Sequence, residues 1–185
     1  MTSLDLPTVA DFLASVGVRL AGPLTAELIA GGRSNLTYRV SDGEMSWVLR
    51  RPPAAGRTAS AHDVAREAHV TRALMATVVP VAPVIALCEN PDVLGAPFSV
   101  TAWVEGKVLR ERADLDTYSD TDISGACTAL VEVLAALHEV DPRSVGLEGW
   151  GRPDGFVARQ VALWRRQWEQ VKTRELVDVE TLHQA

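Results

Sequence analysis

The stretch Ile29-Ala-Gly-Gly-Arg-Ser-Asn-Leu-Thr-Tyr-Arg-Val40 decides how the rest of this chain is read. It joins two short alternating runs, Leu24–Ile29 and Leu36–Val40, through a loop holding Gly31 and Gly32. That is the pattern of an antiparallel hairpin. A glycine pair at a hairpin tip lets main-chain N–H groups approach an anion without side-chain obstruction. Alone, such a pair is more often only a turn. No Gly-Lys-Ser/Thr follows it, and no Gly-x-Gly-x-x-Gly occurs, so neither a Walker loop nor a dinucleotide fingerprint is present.

Working outward, Asp42-Gly43 marks a second turn, and Ser46–Arg50 reads as a third strand stopped by Pro52-Pro53. Strand alternation puts Val48 and Arg50 on one face and Trp47 and Leu49 on the other. From Ala61 to Met75 the period becomes helical, with Val64, Ala68, Thr71 and Met75 on one face and Glu67 and Leu74 beside it. Arg50, if it points inward from its strand, needs an anion, and Glu67 is the candidate; the alternative is a surface Arg and a surface Glu that never meet. Val84–Cys88 and Phe98–Val104 follow as strands, separated by a turn at Asn90–Gly95. The expectation is a meander of about five strands with one helix inserted after the third, preceded by a helix over Val9–Val16 capped by Thr8.

Beyond residue 105 the pattern is helical. Ile123, Ala126, Cys127, Leu130, Leu134 and Leu137 form one stripe, with Ser119 and Thr121 as capping candidates. Val157, Val161, Trp164, Trp168 and Val171 form another, and Arg174–Ala185 also looks helical. The acidic run from Asp114 to Asp122 lacks the glycine and closing Glu of a calcium loop and reads as a connection leading into a helix.

The 185 residues are 47% hydrophobic and 23% charged, enough for a packed core. A net charge of −6 argues against a nucleic-acid surface, and Arg159, Arg165, Arg166 and Lys172 read as a solvated helix face. Cys88 and Cys127 lie in apolar runs and read as buried free thiols, hence a reducing compartment. With no signal-like start and no membrane-length apolar run, the expectation is a cytoplasmic protein without membrane or nucleic-acid partners.

Taken together, the ordered words Gly31-Gly-Arg-Ser-Asn-Leu-Thr-Tyr38, Val48-Leu-Arg-Arg-Pro52, Arg66-Glu67, Pro83–Pro91, Gly95-Ala-Pro-Phe98 and Val104-Glu-Gly106 resemble the aminoglycoside phosphotransferase-like family. They are most similar to the branch found with acyl-CoA dehydrogenases. The resemblance implies an α+β, protein kinase-like fold: a nucleotide-binding N-lobe over residues 1–105, with a five-stranded antiparallel sheet and inserted helix, then a partial helical C-lobe over 106–185. It implies ATP or GTP as cofactor. Gly31, Gly32, Ser34 and Asn35 would match the nucleotide-covering loop, and Arg50 the usual phosphate-binding Lys, with Glu67 as its helix partner. Ala102 and Val104 would match the hinge that hydrogen-bonds a purine, Thr101 the back of that pocket and Val48 its lining.

The family's catalytic loop, of the type His-Gly-Asp-x-x-x-x-Asn, is not matched: none of His62, His69, His138 and His183 begins it. Its magnesium-binding Asp is likewise unmatched, so no catalytic and no metal residue is assigned. The expectation is a C-terminally truncated member, the nucleotide-binding portion of a small-molecule phosphotransferase, inactive alone and with an unassigned acceptor. The alternative is a non-catalytic, pseudokinase-like module that binds a nucleotide or a partner. Self-association through exposed C-lobe helices is a further expectation, motivated by Trp164 and Trp168.

Overall fold

The structure, a computed structural model, describes residues 4–29, 35–53, 63–151, 154–174 and 176–184. It divides into two compact units, Met1–Gly146 and Leu147–Ala185.

The first unit is built on a five-stranded sheet: β1 (Thr25–Leu28), β2 (Leu36–Ser41), β3 (Ser46–Arg51), β4 (Val84–Cys88) and β5 (Phe98–Ala102). The spatial order is β1-β2-β3-β5-β4, with every neighbouring pair antiparallel. The expected meander is corrected here, because β5 inserts between β3 and β4. That makes β3 and β4 parallel, and parallel strands need a crossover, which helix α2 (Val64–Leu74) supplies. The choice of inner strand follows burial. Phe98, Ser99 and Val100 of β5 are all buried, whereas β4 exposes Ile85 at a register shift between Val84 and Ala86.

One face of the sheet carries the core. Tyr38, Val40, Trp47, Leu49, Phe98 and Val100 pack there against Val9 and Leu13 of helix α1 (Leu6–Ser15). Phe12 of α1 meets the Phe98 ring edge-on, with centroids 4.9 Å apart. Each fully buried side chain of this size contributes about 1.5–3 kcal/mol. The helix begins earlier than expected: its cap is Asp5, not Thr8, whose amide and hydroxyl both bond to the Asp5 carboxylate. Val16 falls beyond the helix and is exposed, and Gly17 ends the turn at φ +88°.

Helix α2 packs against β4 and β5 on the opposite face through Val64, Ala68 and Leu74. Met75, expected on the buried stripe, is instead the exposed C-cap. The Asn90–Gly95 turn contains a short helix, α3 (Pro91–Leu94), capped by Asn90 and closed by Gly95 at φ +75°. Helix α4 (Asp120–His138) starts at a reciprocal capping box between Ser119 and Asp122. None of its residues is buried, and Cys127 is exposed, which corrects the expectation of two buried thiols; Cys88 is buried.

The second unit contains α5 (Phe156–Val171) and α6 (Val177–Gln184). Arg165 and Lys172 both pair with Glu169 at 2.7 Å, so part of the basic cluster is knit to its own helix.

Candidate nucleotide site

The alternation of β3 sets the site. Trp47, Leu49 and Arg51 turn into the core face, so Ser46, Val48 and Arg50 share the other. Arg50 therefore does not point into the core: it stands on the outer face and meets Glu67 there. Its Nε lies 3.2 Å from Glu67 Oε2 and its Nη2 donates to Oε1 at 3.4 Å, a two-pronged contact. The side chains are 44% and 49% exposed, so the pair is worth little as a stability device. It holds the guanidinium in one orientation on the outer face.

Helix α2 holds the carboxylate in place. Asp63 caps it, accepting from the Arg66 amide at 2.8 Å, and Val64 and Ala68 anchor the first turns. Glu67 sits in the first turn, where the helix dipole favours an anion.

The hinge candidates lie at the far end of the same face. Val48 is opposite Thr101, and Trp47 opposite Ala102. The Ala102 amide donates to Pro83 O at 2.8 Å, and the Trp103 amide to Ser46 O at 3.3 Å. Neither amide is available to a base. Pro83 has no N–H to return to the Ala102 carbonyl, so that carbonyl is what Ala102 can offer a purine amino group. Val104 is exposed just past the strand. Asn35 is buried at the start of β2, while Gly31, Gly32 and Ser34 lie outside the described residues. The structure thus brings Val48, Arg50, Glu67 and Thr101 onto one face, with Ala102 and Val104 at its end.

Two arginines escaped the sequence reading. Arg51, on the core face, is 8% exposed, and its Nε has no hydrogen-bond partner among the described residues. Arg39 lies over the Trp103 ring, 4.6 Å from its centroid. Alternation in β2 places Arg39 on the face of Arg50, but its reach to Trp103 follows only once β3 and β5 are known to be neighbours.

Two members of the acidic run, Asp114 and Asp122, are spent on local capping. Asp114 accepts from the amides of Arg110 and Glu111, and those bonds hold its carboxyl below the usual range. The Ser119 hydroxyl and amide do the same for Asp122. Among the described residues, no group of three His, Cys, Asp or Glu could hold a metal ion. A shallow depression along α4, bordered by Asp120, Ser124, Thr128 and Glu132, includes none of the expected site residues. Among the described residues no helix is long and apolar enough to cross a membrane.

Comparison with known proteins gives this geometry its family. The model of the phosphotransferase enzyme family matches residues 25–185. The chain is 37% identical over 149 residues to acyl-CoA dehydrogenase family member 11 of Gallus gallus, covering 80% of this chain and 19% of that protein. With the Homo sapiens family member 11 it is 31% identical over 170 residues, covering 92% and 22%. A crystal structure from Ralstonia eutropha, provisionally described as an aminoglycoside phosphotransferase, superposes with a TM-score of 0.79 at 29% identity. That match covers 98% of this chain and 52% of the other. The chain thus spans about a fifth of the length of these curated relatives and about half of the solved chain. With its five-stranded antiparallel sheet and inserted helix, the chain belongs to the phosphotransferase enzyme family and has its kinase-like fold.

Proposed function

We propose that these residues form the nucleotide-binding part of an ATP- or GTP-dependent small-molecule phosphotransferase. The observation that carries the reading is the Arg50–Glu67 pair, on the same sheet face as Val48 and Thr101, with Ala102 and Val104 at the end of that face. In this reading residues 1–105 act as the nucleotide-holding lobe and 106–185 as the start of the acceptor-side lobe. The pair uses Nε and Nη2 of Arg50, so Nη1 is the nitrogen that meets a phosphate oxygen. Glu67 holds the guanidinium at one angle and offsets part of its charge. The Ala102 carbonyl and the Val104 amide take the edge of the base, Val48 lies against its face and Thr101 closes the back. Gly31, Gly32, Ser34 and Asn35 are assigned to the covering loop.

The described residues do not fit a magnesium site, since no acidic cluster is available and Asp114 and Asp122 are engaged by backbone amides. No step of phosphoryl transfer is therefore assigned to this chain. Its residues bind and orient a nucleotide, and the 185 residues contain no His-Gly-Asp to position an acceptor hydroxyl. A second reading takes the same residues as a non-catalytic nucleotide-binding module. The two part on the coding sequence after codon 185: a His-Gly-Asp and a later metal-binding Asp support the first, and absence of both supports the second. The two unpaired cysteines support a reducing, cytoplasmic setting for either.

Calorimetric titration of ATP and GTP into the 185-residue chain tests the common ground. Binding of at least one is expected, and Arg50→Ala should weaken it roughly tenfold to hundredfold, the range for a charge-assisted contact. No heat and no melting shift with either nucleotide would end the proposal.

A further inference from the structure

Arg39 stands between Tyr38 and Val40, both buried in the core, so it projects from the outer face of β2. Its register partners are Glu27 on β1 and Val48 on β3. An opposite charge directly across an antiparallel pair is the ordinary partner for an arginine. Arg39 nevertheless turns away from Glu27, and among the described residues no carboxylate pairs with it. Its Nε and Nη2 reach the Ser46 hydroxyl at 3.4 and 3.3 Å, and its Cζ stands over Trp103. Since β3 lies between β2 and β5, the side chain must cross β3 at the level of Ser46 and Val48.

Trp103 is held ready for that contact. Its amide donates to Ser46 O at 3.3 Å and its Nε1 to Glu105 Oε1 at 2.8 Å. One side of the Arg39 guanidinium is thus covered by indole, and Nη1 is engaged by neither Ser46 contact. Arg50 is opposite Thr37, two residues along β2, so the two arginines mark levels about 7 Å apart on one face. Arg50 marks the phosphate level; Arg39 marks the level of Val48, Thr101 and the hinge.

A guanidinium is planar, weakly hydrated and suited to stacking on π-faces. Resting on the nucleotide-binding reading above, we infer that Arg39 is the stacking platform for the purine base, held between Trp103 and the base. It contributes affinity for the nucleoside end of the ligand and none for the phosphates. Its alignment is prepared before binding, because Trp103 and Ser46 already order the side chain.

The test separates the two ends of the ligand. ATP, adenosine and inorganic tripolyphosphate are titrated calorimetrically into the wild-type chain, Arg39→Ala, Arg39→Lys and Arg50→Ala. Arg39→Ala should lose roughly tenfold for ATP and adenosine and bind tripolyphosphate as the wild type does. Arg39→Lys, which keeps a cation but not a planar one, should fall between. Arg50→Ala should show the reverse pattern, losing ATP and tripolyphosphate while keeping adenosine. In wild type, adenosine should also change the fluorescence of Trp103, identified by its loss in Trp103→Phe. If Arg39→Ala binds all three ligands normally, or loses all three alike, the platform is wrong while the nucleotide site stands. If wild type binds neither ATP nor adenosine, both readings fall together.

Discussion

At the scale of single residues, Asp42 shows how a side chain can tie distant backbone together. It is buried in the β2–β3 turn and accepts from three amides: Ala21 at 2.9 Å, Glu44 at 3.0 Å and Met45 at 2.7 Å. Gly22 packs close beside it: a Cβ there would stand 3.0 Å from Asp42 O. The Ala21 bond, then that of Met45, holds the Asp42 carboxyl below its ordinary value of 3.8. A folded-state pKa depressed below the unfolded one stabilises the fold at pH above the unfolded value. That contribution is lost as pH falls through the folded pKa. Asp42→Ala should therefore melt lower than wild type at pH 6, and the gap should narrow below about pH 4. Thermal melts of both proteins from pH 3 to pH 7 check this, and an equal gap at both ends would contradict it.

At the scale of elements, α2 links fold to site, since its first turn carries Glu67 and its cap is a single side chain, Asp63. Removing such a cap costs about 1 kcal/mol, or roughly 2–4 °C in a chain of this size. Asp63→Ala should show that loss and also weaken ATP binding, because a frayed first turn no longer aims Arg50. In a Glu67→Ala background the same cap removal should lower the melting temperature yet leave ATP affinity unchanged. Additive losses of affinity in the double variant would refute the link. Strand and helix periodicity leave the Arg50–Glu67 meeting as one of two alternatives; the pair does form, on the outer face and not pointing inward. The strand order was not legible. Choosing between β4 and β5 for the place beside β3 depends on which strand can be buried on both faces, and the alternation within one strand carries no such information. Thr8 resembles a cap in sequence, but Pro7 can occupy a first helical turn, so α1 begins ahead of it.

At the scale of the whole molecule, the apolar stripes expected on the helices beyond residue 105 lie at the expected positions and stand open to solvent. Leu130 is 70% exposed on α4, and Leu134 and Leu137, four and seven residues on, continue the same stripe into solvent. In the second unit Trp164 is 64% exposed and Val157 and Val161 lie open on α5. A stripe at helical spacing identifies a face that is better covered, without saying by what. Contiguous apolar surface of this kind favours association in water. The 185-residue chain should therefore elute from size-exclusion columns with a concentration-dependent apparent mass. Leu130→Glu together with Leu134→Glu should shift it toward the monomer with the melting temperature nearly unchanged, since neither side chain is buried in this fold. Nucleotide affinity should be untouched, because the paired arginine and the hinge lie on the sheet. A wild-type chain that runs as a monomer across a hundredfold range of concentration would overturn this, and so would a double variant that associates as strongly as the wild type.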